Sequence, residues 1–379
     1  MNLDLGLRVL GSIMDWDDDK ARVEFQRLRL MANLKYDGYR DFEAGVRFIE
    51  SLAAWLQQFR PDQRPDAYEF VAHRLVYIGP SEMEKLVGQF YTNVVHPEVS
   101  NFVAAELGLP RYRIQVDGVA QEKIKRHLRR TLFLGLSDGA RVDYIRHQNV
   151  GLIRNEQVVG STQIDTRKWQ DLLEELREDL DDSGATFRSV YLIDDFAATG
   201  TSFFRLADGK PKGKLVRFAT SIKDAEAAVV GRIFDEDYRI HIHHYVGTSK
   251  ARQELGERLA SASETLRGIG LPTNPTTTYG IVLPETLPLS ASDPRDQAFL
   301  KLVEEYYDPT IHTRHTEVGG TTDMKLGYGG CALPLILDHN TPNNSLPLLW
   351  AETVGTPDGP DSPPVPPMRP LFRRRQRHL

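Results

Sequence analysis

Two adjacent carboxylates, Asp194 and Asp195, close an uninterrupted apolar run and lead at once into a small segment rich in hydroxyls and glycine. The stretch reads Ser189-Val190-Tyr191-Leu192-Ile193-Asp194-Asp195-Phe196-Ala197-Ala198-Thr199-Gly200-Thr201-Ser202. Val190 to Ile193 have the composition of a central parallel strand covered on both faces. In open parallel sheets ligands gather outside the carboxyl ends of the strands, and the two acids stand at that end. Side chains alternate along a strand, so the acids cannot serve from the same direction. Both can accept from vicinal sugar hydroxyls if the backbone turns nearby. Gly200 allows such a turn and a close backbone approach. Successive amides in the turn, leading into a helix N-terminus, would form an anion pocket to which Thr199 and Ser202 add hydroxyls.

Other readings compete. A Walker B strand also ends in acids, but it needs a G-x-x-x-x-G-K-[ST] partner. The Gly209-Lys210-Pro211-Lys212-Gly213-Lys214 stretch lacks that spacing and is broken by proline. A magnesium-binding or phosphorylated aspartate pair in another α/β fold is a second alternative, and a capped strand end with no ligand is a third.

The elements that must position these residues follow from pattern. The first hundred or so residues read as helices, with Phe42, Val46, Ile49, Leu52, Ala53 and Leu56 at helical spacing. From residue 111 the texture alternates. Thr131 to Leu136 reads as a strand ending in Ser137-Asp138-Gly139-Ala140-Arg141. Trp169, Leu172, Leu173, Leu176 and Leu180 mark a helix, and the Asp194 strand follows. Leu215 to Ala219 reads as a strand, Ala225 to Phe234 as a helix and Ile240 to Val246 as a strand. Leu255, Leu259 and Leu266 then mark a helix, and Ala332 to Leu337 a strand. This alternation predicts a doubly wound, mainly parallel α/β sheet behind an N-terminal helical module. The expected division is a helical module over 1–110, an α/β domain over 111–354 and a disordered, Pro-rich basic tail over 355–379.

Composition narrows the classes. Net charge is −6 with a pI near 6.0, so no global cationic field recruits nucleic acid. Arg373 to Arg377 offer only a local basic end, for a nucleic acid or a partner protein. Cys331 is the sole cysteine, which excludes internal disulfides and fits a reducing cytoplasm. The acidic N-terminal segment has no signal-peptide character. No apolar run reaches the ~20 residues of a membrane span, so no membrane association is expected.

Asp194 to Ser202 resembles the 5-phosphoribosyl-1-pyrophosphate (PRPP) motif of type I phosphoribosyltransferases. The resemblance implies that Asp194 and Asp195 contact the ribose hydroxyls, and bear on magnesium indirectly through the substrate. Ala197, Ala198, Thr199, Gly200, Thr201 and Ser202 would line the 5′-phosphate. Ala198 stands where many members carry a hydroxyl, and Ser202 replaces the usual last threonine. The family's second, pyrophosphate loop is matched by Ser137, Asp138, Gly139, Ala140 and Arg141, with Arg141 for phosphate oxygens. Asn155 to Gln163 occupy the interval of a lid. Leu75-Val76-Tyr77-Ile78, Gly135 to Arg141, the Asp194 motif and His339-Asn340-Thr341-Pro342-Asn343-Asn344 together resemble one branch, the phosphoribosyltransferase-like proteins of bacterial conflict systems (PRTase-CE). That likeness implies an effector or processing enzyme of an anti-phage system, with a partner protein such as a reverse transcriptase. It would act at ribose C1 with Mg2+, or serve as an inactive nucleotide sensor. His339, Asn340 and Asn343 could read a base edge, or form an Asn/Pro turn. His241 and His243 share a strand face without an evident carboxylate partner and read as structural. His312, Arg314, His315 and Glu317 form a further polar group of open meaning.

Overall fold

A computed structural model describes residues 3–160, 164–228, 231–311, 316–356 and 364–374. The chain compacts into two units, Glu84–Pro284 and a second made of Met1–Met83 with Glu285–Leu379. This partition differs from the expected 1–110 and 111–354. Both ends of the chain contribute to one unit, and the α/β sheet lies wholly in the other.

The Glu84–Pro284 unit is built on five parallel strands: β1 (Thr131–Gly135), β2 (Val158–Val159), β3 (Phe187–Ala197), β4 (Phe234–Thr248) and β5 (Thr276–Leu283). Their spatial order is β2-β1-β3-β4-β5, every pairing parallel. Leu132, Leu134, Val190, Leu192, Ile240 and Ile242 are buried on one face under helices Thr166–Leu180 and Lys214–Ala228. On the other face Phe90 meets Phe133, Tyr191 and His243. Helices on both sides make the doubly wound arrangement that the alternation predicts. The chain runs outward from β1 to β2, then returns to lay β3 on β1's other side. The direction of winding therefore reverses between β1 and β3, and that crevice is where such sheets bind ligands.

Three elements differ from the pattern reading. Lys214–Ala228 is a helix, not a strand at 215–219. Leu215, Phe218, Ala219, Ile222 and Ala225 are its buried face, and their spacing is helical. The helix expected over 225–234 ends at Ala228, and β4 starts at Phe234. β5 went unread because Thr276, Thr277 and Thr278 look polar.

In the other unit, helices Leu3–Ile13, Asp18–Leu34, Phe48–Leu56, Arg64–His73 and Pro294–Tyr306 share one apolar core. Val76–Ile78 pairs in parallel with Leu335–Leu337, so the expected 332–337 strand is shorter and stands outside the five-stranded sheet. The tail expected to be disordered is partly core. Met368, Leu371 and Phe372 are buried, and Phe372 packs against Phe42, Phe48 and Tyr39. Apolar residues after the Pro-rich stretch outweigh its composition. Arg375 to Arg377 lie outside the described residues. No helix among the described residues is long and apolar enough to cross a membrane.

Candidate functional site

β1 and β3 are neighbours at the switch point. Gly135 is level with Ile193, and the Leu136 amide donates to the Ile193 carbonyl at 2.7 Å. β1 ends there, while β3 runs on to Ala197, so the 137–141 loop leaves beside Asp194 and Asp195 and the 198–202 loop leaves further along. Asp194 and Asp195 do not sit in a turn. β3 continues through them, with Asp194 level with His244 and Ala197 level with Gly247. Alternation therefore sends the acids to opposite faces.

Asp194 falls on the face of Val190 and Leu192. It is 3% exposed and forms an ion pair with Lys214 through Oδ2. Its Oδ1 is buried without a hydrogen-bond donor among the described residues. Burial pushes the Asp194 carboxyl above the usual carboxylate range, the Lys214 ammonium pulls it back, and Asp195 pushes it up again. Asp195 is half-buried on the opposite face, where its Oδ1 accepts from Ser137 Oγ at 3.2 Å.

The 198–202 segment has a consistent polarity. The Ala198 carbonyl accepts from Thr248 Oγ1 at 2.7 Å, and that of Thr199 from Arg258 Nη1 at 2.7 Å. The Gly200 carbonyl accepts from the Phe203 amide at 3.0 Å, that of Thr201 from Arg205 Nη1 at 3.1 Å, and that of Ser202 from the Lys214 amide at 3.1 Å. All five carbonyls are committed to the protein, as is the Phe203 amide that follows them, whereas three amides of the segment are not. Those of Thr199, Gly200 and Ser202 meet no acceptor among the described residues. Gly200 has φ of +66°, and a Cβ there would lie 2.9 Å from Leu255 Cβ. Glycine is thus required for both conformation and space. Thr199 and Thr201 hydroxyls lie 2.9 Å apart, Ala197 and Ala198 are buried, and Ser202 is exposed. The segment does not run straight into a helix. A hairpin intervenes, and the helix begins at Lys214.

The 137–141 loop closes the other side. Asp138 is exposed and Gly139 is buried. Arg141 takes φ of +47°, an uncommon conformation for a side-chain-bearing residue. The buried Tyr245 hydroxyl donates to the Ala140 carbonyl at 2.9 Å. Burial pushes that hydroxyl up, the Arg141 charge pulls it back, and Asp195 and Asp194 push it up again.

Other expected contributors are held by bonds within their own units. His339, Asn340 and Asn343 belong to the unit that contains both chain ends. There His339 Nδ1 donates to the buried Asp338 at 3.0 Å, Asn340 exchanges backbone bonds with Leu337, and the Asn343 carbonyl accepts from the Tyr328 amide at 2.7 Å. These are the bonds of a turn. Asn155 to Val159 are not a free lid. Gln157 is buried and donates from Nε2 to the Leu128 and Thr131 carbonyls at 2.6 Å, and Val158–Val159 is the edge strand β2. Residues 161–163 lie outside the described residues, as do His312, Arg314 and His315. His241 and His243 meet Thr276 and Thr278 hydroxyls at 2.8 and 2.9 Å. No cluster of three His, Cys, Asp or Glu suited to a metal occurs among the described residues. Lys214, Arg205, Thr248, Tyr245 and Arg258 were missed. The Asp208-Gly209 hairpin signal could have exposed the first two.

A parallel sheet with a paired-acid strand end and a glycine-bearing loop at its switch point fits a phosphoribosyltransferase-like protein. The chain matches the PRTase-CE family model over residues 52–374, and it belongs to that family. No curated protein and no solved structure is significantly similar to it.

Proposed function

We propose that the β1/β3 crevice binds PRPP or a related ribose phosphate and that the protein acts at ribose C1. The observation that carries this reading is the 198–202 segment, whose carbonyls are all taken while the amides of Thr199, Gly200 and Ser202 meet no acceptor among the described residues. The 5′-phosphate would lie on the amides of Thr199, Gly200 and Ser202. Asp195 would accept from a ribose hydroxyl at the crevice, and the buried Asp194, paired with Lys214, would hold the strand end that presents it. Ser137 orients Asp195. Ser137 to Arg141 would face the pyrophosphate, with the Arg141 guanidinium set against its oxygens.

The donor set fits a magnesium ion carried chiefly by the ligand, because Asp138 and Asp195 flank the crevice without forming a protein cage. Bound there, the ion would neutralise charge on the departing pyrophosphate. The protein's share is positioning. The ribose would be held while C1 stays open to an acceptor, and Asp195 would face the ring as it gains positive charge. No strong nucleophile is required for this chemistry. A single-turnover assay with PRPP and magnesium tests it. The wild type should release pyrophosphate, and Asp195→Asn should not. Tight PRPP binding with no release would contradict the enzymatic part and assign the crevice to nucleotide sensing. The anti-phage role and the partner protein implied by the family resemblance belong to the same proposal. Phage plating on cells carrying wild type or Asp195→Asn tests the role, and loss of protection in the variant is expected.

A further inference from the structure

Tyr245 lies near the carboxyl end of β4 and is fully buried. Asp194 is level with His244 and Phe196 with Val246, so Tyr245 stands beside Asp195 in the ladder. Alternation sends both side chains to the same face. There the Tyr245 ring meets His243 edge-on, with centroids 5.4 Å apart. The Tyr245 hydroxyl donates to the Ala140 carbonyl at 2.9 Å. β3 lies between β4 and β1 in the sheet, so this bond spans the strand that carries the acids and ends on the loop that follows β1. A buried phenol ordinarily finds a partner. The buried hydroxyls of Tyr191 on β3 and Tyr238 on β4 have none among the described residues, so the bond made by Tyr245 is a selective one.

The loop it reaches is strained. Arg141 holds φ of +47°, a conformation that a residue with a side chain keeps only where its surroundings over-determine it. The Ala140 amide donates to the Ser137 carbonyl at 3.1 Å, and the Tyr144 amide to the Arg141 carbonyl at 3.0 Å. Those bonds are local and would travel with the loop. Its ties to the sheet are Ser137 Oγ on Asp195 at one end and Tyr245 on Ala140 at the other. Gly135 lets the loop settle on the end of β1, since a Cβ there would lie 2.9 Å from Val142 Cγ1 and 3.3 Å from Ala140 Cβ. The 198–202 carbonyls are held by other groups: Thr248, Arg258, Arg205 and the Phe203 and Lys214 amides. The two loops therefore have separate anchors.

We propose that Tyr245 is a positioning residue for the pyrophosphate end of the ligand. It fixes the Ala140–Arg141 peptide, and so sets where the Arg141 side chain starts, without touching the ligand itself. The inference rests on the ribose-phosphate reading above and deepens it, because it divides the support of the ligand's two ends between different side chains. Phenylalanine at 245 would fill the same space and lack the donor. The Ala140 carbonyl would then lose its buried partner, and Arg141 one of the restraints on its left-handed backbone.

The test is calorimetry with magnesium present, using PRPP, pyrophosphate and ribose 5-phosphate as separate probes of wild type, Tyr245→Phe and Tyr238→Phe. Tyr238→Phe removes from the same strand a buried phenol that bonds nothing among the described residues, and it should leave every affinity unchanged. Tyr245→Phe should bind pyrophosphate and PRPP about fivefold to a hundredfold more weakly, the range for one buried carbonyl left unpaired. Its affinity for ribose 5-phosphate should stay within about twofold of wild type. Arg141→Ala should cost less pyrophosphate affinity in the Tyr245→Phe background than in the wild type, because Tyr245 acts through Arg141. Equal losses for ribose 5-phosphate and pyrophosphate, or strictly additive losses for Tyr245→Phe and Arg141→Ala, would overturn the inference. PRPP bound alike by wild type and Tyr245→Phe would overturn it and leave the proposed function standing. A wild type that binds none of the probes would overturn both.

Discussion

Lys214→Met removes the only cation that, among the described residues, pairs with Asp194, a carboxylate that is 3% exposed. Methionine keeps the length of the side chain, so the change isolates the charge. Breaking a buried pair by removing one partner costs roughly 3–5 kcal/mol, because the remaining charge is stranded. At about 2–4 °C per kcal/mol for a unit of this size, the melting temperature near neutral pH should fall by roughly 6–20 °C. The pH dependence carries a sign. The Asp194 carboxyl already lies above its ordinary value of 3.8 because burial outweighs the ion pair, and losing Lys214 raises it further. A folded-state value above the unfolded one contributes stability that is fully present below the unfolded value and lost as pH rises through the folded value. The deficit of Lys214→Met should therefore be small in acid and grow toward neutrality. Urea denaturation at about pH 5 and about pH 7.5 measures this. Asp194→Asn/Lys214→Met should recover most of the loss, with a coupling energy of up to about 3 kcal/mol. Equal stability of Lys214→Met and wild type at neutral pH, or the same loss in the Asp194→Asn background, would refute the reasoning.

Three further perturbations test the surroundings. Gly200→Ala should cost about 1–3 kcal/mol in denaturation, and weaken binding of ribose 5-phosphate, because it combines a left-handed backbone with a contact against Leu255. Burial holds His241, His243 and His244 down at about 3. Their contribution is present above the unfolded value of 6.5 and lost as pH falls toward 3, at up to about 1.4 kcal/mol per pH unit for each histidine. His241→Asn/His243→Asn should flatten this acid limb in calorimetry. Phe372→Ala should cost about 3–5 kcal/mol in the unit that holds both chain ends, read by denaturation, whereas a disordered tail would tolerate it.

The sequence disclosed what is local. The strand ending at Asp194, the glycine turn at 200 and the 137–141 loop were legible because one stretch of chain encodes each. Family resemblance, confirmed over residues 52–374, supplied the fold class. Long-range relations were hidden. Lys214 reaches Asp194 only because a hairpin folds the chain back, and the proline within it masked the Asp208-Gly209 turn signal. Thr248, at the end of β4, and Arg258, in the helix Ser249–Ser261 that follows, hold the Ala198 and Thr199 carbonyls from fifty or more residues away. Phe372 follows a Pro-rich run that argued for disorder, and only tertiary packing shows it to be core. The strand at 335–337 was recognised, but its partner at 76–78 lies too far off for periodicity to name it.

Equilibrium binding of PRPP to wild type and to Asp194→Asn/Asp195→Asn, followed by calorimetry with magnesium present, tests the central claim most directly. One site should be seen in the wild type. The double variant should bind about 10–10²-fold more weakly, since the charge-assisted hydrogen bond to Asp195, at ~1.5–3 kcal/mol, is lost. Wild-type protein that takes up no PRPP, or a variant that binds it as well as wild type, would contradict the account.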